Sequence, residues 1–151
     1  MAYKRILVPV DGSAVSDRGL KEALRLARAG SRVRLLHVVA EYFAYASAEP
    51  AVDIAPMLAT LRQGGKKTLA RAARRARGKR ARIETALVEK PGGRVADAIV
   101  AEAKRWRASL IVMGTHGRRG VKRMLLGSDA ELVTRYSRVP VLLVPGRKKK
   151  A

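Results

Sequence analysis

The sequence lacks cysteine altogether and contains few aromatic, acidic and histidine residues. Without cysteine, the chain can form neither a disulfide bond nor a thiolate metal site. The two histidines and the 12 scattered acidic residues argue against a transition-metal site built by the protein. No apolar run approaches the roughly 18 residues that a membrane-spanning helix needs, and the first residues lack the pattern of a signal peptide. We therefore expect a soluble, cytoplasmic protein without a membrane span.

Positive charge, in contrast, is abundant. The chain has 33 Lys and Arg residues against 12 Asp and Glu residues, which gives a net charge of +21. Ten of the basic residues and no acidic residue fall between positions 61 and 83. On a helix they form a basic face, which is either a solubilising surface or a binding surface for nucleic acid or an anionic membrane. Because these segments almost lack aromatic residues, any nucleic-acid contact should be non-specific and sensitive to salt.

Five strand patterns alternate with helical patterns along the chain. The predicted strands are 4–10, 33–39, 82–88, 110–113 and 141–144, and the predicted helices are 15–29, 57–77, 94–107 and 128–136. Gly30 is expected to end the first helix. This alternation is typical of a parallel sheet that is covered by helices on both faces. We predict a single domain over residues 1–146, followed by a basic, disordered tail at 147–151.

The strongest local signal is a glycine-rich loop that follows the fourth predicted strand. Gly114, Gly117 and Gly127 punctuate this loop, and Ser128 opens the next helix, where it is the expected N-cap. Glycine lets backbone N–H groups approach an anion closely, and a helix N-terminus adds unpaired donors. Four basic side chains lie in the same loop: Arg118, Arg119, Lys122 and Arg123. This pattern predicts a phosphate site and therefore a nucleotide-binding protein.

A second candidate region is Asp11-Gly12-Ser13, directly after the first strand. Ligands of open parallel sheets bind beyond the carboxyl ends of the strands, where the direction of winding reverses. If the sheet reverses between strands one and four, Asp11 and Gly114 face each other across one crevice. Asp11 is either a ligand contact or a turn residue, and Ser13 is a helix cap. His37, inside an apolar strand, is expected to be a core histidine, and Trp106 is expected to be a packing residue.

Taken together, these segments resemble the universal stress protein family over nearly the whole chain. The matching segments are Ile-Leu-Val-Pro-Val-Asp-Gly-Ser at 6–13, Leu-Leu-His-Val at 35–38, Leu-Ile-Val-Met-Gly-Thr-His-Gly at 110–117, Leu-Leu-Gly-Ser at 125–128 and Val-Pro-Val-Leu-Leu-Val-Pro at 139–145. The spacing Gly114-x2-Gly117-x9-Gly127-Ser128 is typical of the ATP-binding branch of that family. The resemblance implies a Rossmann-like, open five-stranded parallel sheet of order 3-2-1-4-5, and a homodimer through the last strand, Val141–Val144.

The resemblance also implies the residues of an ATP site. Asp11 would hydrogen-bond the adenosine, the backbone of Val38 would contact the adenine edge, and Met113 and Gly114 would line the ribose. The remaining candidates are Gly117, Gly127, Ser128 and Asp129 for the phosphates, together with Pro9, Val10, His116 and Arg118. ATP is the expected ligand, with ADP or AMP as alternatives, and Mg²⁺ would arrive with the nucleotide. Asp129 stands where this branch commonly has valine. Its carboxylate would either repel a phosphate or hold a divalent cation that bridges the phosphates.

The implied function is regulation of a stress response through nucleotide-dependent conformation or choice of partner. The chain has no P-loop, no dinucleotide fingerprint and no nucleophile elbow, so we expect a binding protein rather than an enzyme. Two alternatives remain open. One is a basic polyanion-binding module with a vestigial nucleotide site, and the other is a weak ATPase.

Overall fold

Strands and helices alternate along the chain in the computed structural model, which describes residues 3–40, 53–116 and 126–146. The elements are β1 (Arg5–Pro9), α1 (Ala14–Leu26), β2 (Arg32–Val39), α2 (Ala55–Arg75), β3 (Arg82–Glu89), α3 (Val95–Arg105), β4 (Leu110–Gly114), α4 (Ser128–Tyr136) and β5 (Val141–Val144). The strand order is β3-β2-β1-β4-β5, and all neighbouring strands are parallel. The predicted fold class and strand order are therefore confirmed.

Helices cover both faces of the sheet because successive side chains of each strand point to opposite faces. Ile6 and Val8 of β1 lie on the face that α1 and α2 cover, whereas Leu7 lies on the face that α3 and α4 cover. The chain thus winds outward from β1 to β3 on one face and returns to β4 and β5 on the other. The direction of winding reverses between β1 and β4, so their carboxyl ends form the place where this fold binds ligands.

The end of α1 differs from the prediction. The helix stops at Leu26, and Ala27 is already extended, so Gly30 does not end it. Gly30 instead adopts a φ of +84° in the turn before β2. The buried Ser31 fixes this turn, because its Oγ accepts from the backbone N–H of Arg28 at 3.0 Å and donates to the carbonyl of Tyr3 at 2.9 Å. Such local side-chain hydrogen bonds compete with continuation of a helix.

A network of charged side chains lies at the amino end of the sheet, against the ring of Trp106. Arg34 donates to Glu84 at 2.8 Å and to the buried Glu102 at 2.6 Å, and its guanidinium lies 4.7 Å from the centre of the Trp106 ring. Burial alone would raise the pKa of Glu84, but hydrogen bonds from Arg34 and Arg32 outweigh it and hold that pKa below the ordinary 4.5. Trp106 is only 6% exposed, which confirms its packing role.

None of the helices in the described part of the chain is long and apolar enough to cross a membrane. The predicted basic tail at 147–151 lies outside the described residues, so this prediction, like the single-domain organisation, stays a prediction.

Candidate nucleotide-binding site

The carboxyl ends of β1 and β4 lie side by side. Ile6 is paired with Leu110 and Leu7 with Ile111 in parallel register. Continued toward the carboxyl ends, this register brings Val10 level with Gly114. The two segments that the sequence singles out therefore meet at the edge of the sheet where the winding reverses.

The loop between β1 and α1 is fixed by hydrogen bonds of its own side chains. Asp11 Oδ1 accepts from the backbone N–H of Ser13 at 2.9 Å, and Ser13 Oγ accepts from the backbone N–H of Ser16 at 3.1 Å. Between them, Gly12 adopts a φ of +84°, which favours glycine. The predicted roles of Ser13 as a helix cap and of Asp11 as a turn residue are confirmed. The same turn holds the Asp11 carboxylate at the carboxyl end of β1.

The start of α1 packs against the last residue of β4. A Cβ on Gly114 would lie 2.5 Å from Val15 Cγ1, and a Cβ on Gly19 would lie 3.5 Å from the backbone nitrogen of Gly114. Only a residue without a side chain at position 114 lets the two backbones approach so closely. At Gly19, by contrast, an added Cβ would make only ordinary van der Waals contact with β4.

The glycine-rich loop is closed at its two ends. The backbone N–H of Gly127 donates to the carbonyl of Thr115 at 2.7 Å, and the N–H of Thr115 donates to the carbonyl of Val144 at 3.0 Å. A Cβ on Gly127 would lie 3.0 Å from that Thr115 oxygen and 3.2 Å from His116 Cα. The chain therefore leaves β4 and returns to α4 at nearly the same point, beside the end of β5.

The start of α4 corrects the prediction for Ser128. Gly127 occupies the N-cap position in an extended conformation, and no side chain of the described residues caps the helix. Ser128 is instead the first helical residue and is exposed. The expected N-cap was wrong because the closure of the loop on Thr115 requires a glycine next to Ser128. As a result, the first N–H groups of α4 have no side-chain acceptor at the cap position.

The backbone of Val38 lies where β1 no longer covers β2. The carbonyl of Leu36 accepts from the N–H of Val10, whereas the carbonyl of Val39 accepts from the N–H of Lys90 beyond β3. Since backbone groups alternate sides along a strand, the N–H and C=O of Val38 point to the same side as those of Leu36. On that side β1 has already ended at Pro9. The backbone of Val38 thus faces the crevice beyond β1, where the family resemblance implies a contact with adenine.

The two histidines have different surroundings. His37 Nδ1 lies 2.8 Å from the carbonyl oxygen of Val10, so this half-buried ring is a partnered structural group, as expected. His116 Nδ1 lies 3.1 Å from Thr115 Oγ1, and its ring is next to Gly146 after β5. His116 therefore stands beside the closed end of the glycine-rich loop.

The structure brings most of the predicted residues to one edge of the sheet. The described candidates at this edge are Pro9, Val10, Asp11, Val38, Met113, Gly114, His116, Gly127, Ser128 and Asp129. Met113 is buried, and Asp129 is half-buried in the first turn of α4. Gly117 and the basic loop residues Arg118, Arg119, Lys122 and Arg123 lie outside the described residues.

One residue that sequence reasoning missed also contacts this edge. Arg71 of α2 donates to the carbonyl of Gly12 at 2.8 Å. One turn further along α2, Arg75 forms an ion pair with Asp17 of α1. No local pattern could have shown these contacts, because they join segments that are far apart in the sequence.

Comparison with known proteins now decides the family. The model of the universal stress protein family matches residues 2–145. The chain belongs to this family. A relative, universal stress protein MJ0531 of Methanocaldococcus jannaschii, is 36% identical over 149 residues, which cover 97% of this chain and 85% of the relative.

Solved structures of similar proteins agree with this assignment. The structure of the protein MJ0577 has a TM-score of 0.83 and 26% identity, and the match covers 99% of this chain and 100% of that one. The universal stress protein from Archaeoglobus fulgidus in complex with dAMP has a TM-score of 0.67 and 27% identity, over 95% of this chain and 99% of that one. A structural neighbour of this chain therefore binds an adenine nucleotide.

Proposed function

We propose that this universal stress protein belongs to the ATP-binding branch of its family and acts as a nucleotide-dependent regulator of a stress response. The observation that carries this proposal is the uncapped N-terminus of α4 at the edge where β1 and β4 meet. Unpaired N–H donors and the positive end of a helix dipole favour a phosphate group at this position. The dAMP complex of the Archaeoglobus neighbour supports an adenine nucleotide as the ligand.

The nucleotide would span the edge of the sheet from β2 to α4. The Val38 backbone would hydrogen-bond the adenine, and Asp11 would hold the ribose beside Met113 and Gly114. The phosphates would meet the start of α4 at Gly127 and Ser128, with Gly117 and Arg118 from the glycine-rich loop. His116, Pro9 and Val10 would complete the lining. ATP fits the proposal best, with ADP or AMP as alternatives.

Asp129 gives this site a dependence on divalent cations. Its carboxylate lies in the first turn of α4, where it would repel a bare triphosphate. A Mg²⁺ ion carried by ATP would turn this repulsion into attraction. Asp129→Val is therefore expected to bind ATP with little change when Mg²⁺ is removed, whereas the parent chain loses affinity.

We propose binding and signalling rather than catalysis. Hydrolysis needs a group that positions the attacking water. Asp11 is the candidate nearest to the site, and its Oδ1 is already an acceptor in the turn with Ser13. Slow ATP hydrolysis is the most that this arrangement supports.

A homodimer through β5 is part of the proposal. β5 lies at the edge of the sheet with β4 as its neighbour, and Leu142 in its middle is 38% exposed. An apolar edge strand of this kind is a pairing surface that dimerisation would cover. Leu142→Lys should therefore shift the protein toward a monomer in size-exclusion chromatography with light scattering.

The experiment that tests the nucleotide proposal begins with protein freed of nucleic acid. The protein is denatured, and any released nucleotide is identified by chromatography with mass detection. The same preparation is titrated with ATP, ADP and AMP by calorimetry, with and without Mg²⁺. Bound adenine nucleotide, or saturable binding of added ATP, is the expected result. An empty protein that also ignores millimolar nucleotide would contradict the proposal.

Ser128→Ala is the most informative variant because it separates binding from folding. Ser128 is exposed, and its hydroxyl makes no hydrogen bond within the described residues. Its removal should change the free energy of unfolding by less than about 0.5 kcal/mol. Loss of one hydrogen bond to a charged phosphate should weaken ATP binding by about tenfold. AMP, whose single phosphate lies nearer the ribose, should lose less.

Gly127→Val is the stronger variant, with Gly64→Ala as its control. A Cβ at position 127 would press on Thr115 and His116, whereas a Cβ at position 64 meets nothing within 4 Å. We expect ATP binding to be lost in Gly127→Val and retained in Gly64→Ala. Equal affinities in the two variants would argue against a site at the start of α4.

A further inference from the structure

The exposed side of α2 carries positive charge that takes no part in the proposed nucleotide site. Gly65, Leu69 and Ala72 form the buried side of this helix. The basic residues that are exposed on the second half of α2, in the turn after it and at the start of β3 are Lys66, Lys67, Arg71, Arg74, Arg75, Arg77, Lys79, Arg80 and Arg82. We call these residues the basic face. On a helix of 3.6 residues per turn, Lys67 and Arg74 point almost directly away from the buried side.

Most of this charge is not compensated by neighbouring carboxylates. The four carboxylates of α1 and β3 are already paired with other arginines or with Arg75: Asp17 with Arg75, Glu22 with Arg25, Glu84 with Arg32 and Arg34, and Glu89 with Arg62. Within residues 3–40, 53–116 and 126–146, no ion pair involves Lys66, Lys67, Arg74, Arg77, Lys79, Arg80 or Arg82. Concentrated like charge repels itself and attracts polyanions.

We propose that the basic face binds the phosphate backbone of double-stranded nucleic acid without regard to sequence. Lys67 and Arg74 lie two helical turns apart, about 10 Å along the axis. Their exposed side chains can therefore reach separate phosphates of one duplex. Each phosphate that a cation neutralises releases a counterion, and this release drives association.

The chemistry of the face favours a duplex over other polyanions. Single-stranded nucleic acid is held largely by stacking on aromatic rings, and residues 62–82 contain no aromatic side chain. Charge attracts a protein to an anionic membrane surface, but stable binding adds an apolar side that enters the lipid. The apolar side of α2 is buried in the core, and none of the exposed large apolar residues in the described ranges, such as Leu26 and Leu142, lies on α2.

Two arginines of the basic face are kept out of the test because they hold the fold together. Arg71 contacts the Gly12 carbonyl, and Arg75 pairs with Asp17. The variant therefore changes Lys66, Lys67 and Arg74 to Gln. The control changes Lys104, Arg135 and Arg138 to Gln, which are exposed residues of α3, α4 and the turn after α4. Both triple variants lose the same charge, so they differ only in the face that is altered.

Binding is measured by fluorescence anisotropy with the full chain and two labelled duplexes of unrelated sequence, at increasing NaCl concentration. We expect equal affinity for the two sequences, and a steep linear fall of log K with log salt. The Lys66/Lys67/Arg74 variant should weaken binding at least about tenfold, and its salt slope should fall by about 3. The control should stay within about twofold of the parent chain. Thermal unfolding confirms that both variants fold.

Three results would overturn this inference. They are equal losses in the two triple variants, tighter binding to single strands or to anionic vesicles than to the duplex, and no binding at low salt. The inference does not depend on the nucleotide site. The duplexes are titrated against protein that is free of nucleotide, so this test can fail or succeed whether or not the nucleotide proposal holds.

Discussion

The amino and carboxyl ends of the sheet differ in whether their polar groups are already paired within the protein. At the amino end, Arg34 pairs with both Glu84 and Glu102 beside Trp106, and these charges are satisfied inside the protein. At the carboxyl end, Gly114 and Gly127 allow backbones to approach closely, and no side chain in the described part of the chain caps the start of α4.

This difference indicates that the amino end of the sheet stabilises the fold, whereas the carboxyl end is the end proposed to bind a ligand. Buried charges that are fully paired have nothing left to offer a ligand, although removing one partner is costly. Backbone donors that glycine exposes remain available to an anion from outside. Mutations at the amino end should therefore change stability alone, whereas mutations at the carboxyl end should change ligand binding as well.

The largest expected effect is that of Glu102→Ala at the amino end. Glu102 is 3% exposed and pairs with Arg34 and Arg105. Its removal leaves the half-buried Arg34 with Glu84 as its remaining partner, and should lower the free energy of unfolding by about 3 kcal/mol. Urea unfolding measures this loss, and calorimetry should show unchanged ATP affinity. Glu22→Ala, which breaks an exposed pair with Arg25, is the control and should cost less than about 1 kcal/mol.

A smaller loss is expected from Gly114→Ala at the carboxyl end. The new Cβ would lie 2.5 Å from Val15 Cγ1 and 3.2 Å from the Val15 carbonyl carbon, so α1 must move away from β4. Overpacking of this kind should cost about 2 kcal/mol. Because the shift displaces the loop that carries Asp11, ATP affinity should fall too. A destabilised variant with the affinity of the parent chain would remove the proposed link between packing and binding at this end.

Adjacent glycines of α2 should respond in opposite directions. A Cβ on Gly65 would lie 2.7 Å from both His37 Cδ2 and Leu87 Cδ1, whereas Gly64 has open space around it. Gly64→Ala should stabilise the protein by up to about 1 kcal/mol through helix propensity. Gly65→Ala gains the same propensity but must push two packed side chains aside, so we expect a net loss of about 1 kcal/mol. Thermal unfolding of the two variants distinguishes the two sites. Equal shifts in melting temperature would show that the side chains around Gly65 move aside without loss of stability.

The smallest expected effect is on the loss of stability at acid pH. Hydrogen bonds from Arg34 and Arg32 keep the pKa of Glu84 below its ordinary 4.5 despite opposing burial. A lowered pKa in the folded state means that this stabilisation is complete well above pH 4.5 and is lost as the pH falls below that value. Unfolding measured from neutral to acid pH should therefore show a shallower acid loss in Glu84→Gln. Glu89→Gln is the control. A hydrogen bond from Arg62 lowers the pKa of Glu89 as well, but this pair is exposed, and solvent screens its contribution to stability. A larger flattening in the control would contradict the role of the network.

Local patterns predicted most of the elements, and the resemblance supplied the strand order. Ser13 could be recognised as a cap because its bonds reach only three residues along the chain. The cap of α4 could not be recognised in this way, because Gly127, and not Ser128, takes the cap position and bonds to Thr115 at the other end of the loop. The Arg34 network joins residues 50 and 68 positions apart, and no periodicity encodes such a contact. The sequence thus predicts the features that depend on residues close along the chain. It does not predict the features that depend on tertiary contacts.

The most direct measurement is an NMR titration of the isotopically labelled protein with Mg²⁺–ATP, read out as amide chemical shifts along the chain. We expect the largest changes at the carboxyl end, at Asp11, Val38, Gly114 and Gly127, and almost none at Ser31 and Ser109 of the amino end. Saturation should follow a single binding curve. Shifts that are absent, or that centre on the basic face of α2, would contradict the assignment of the carboxyl end as the nucleotide site.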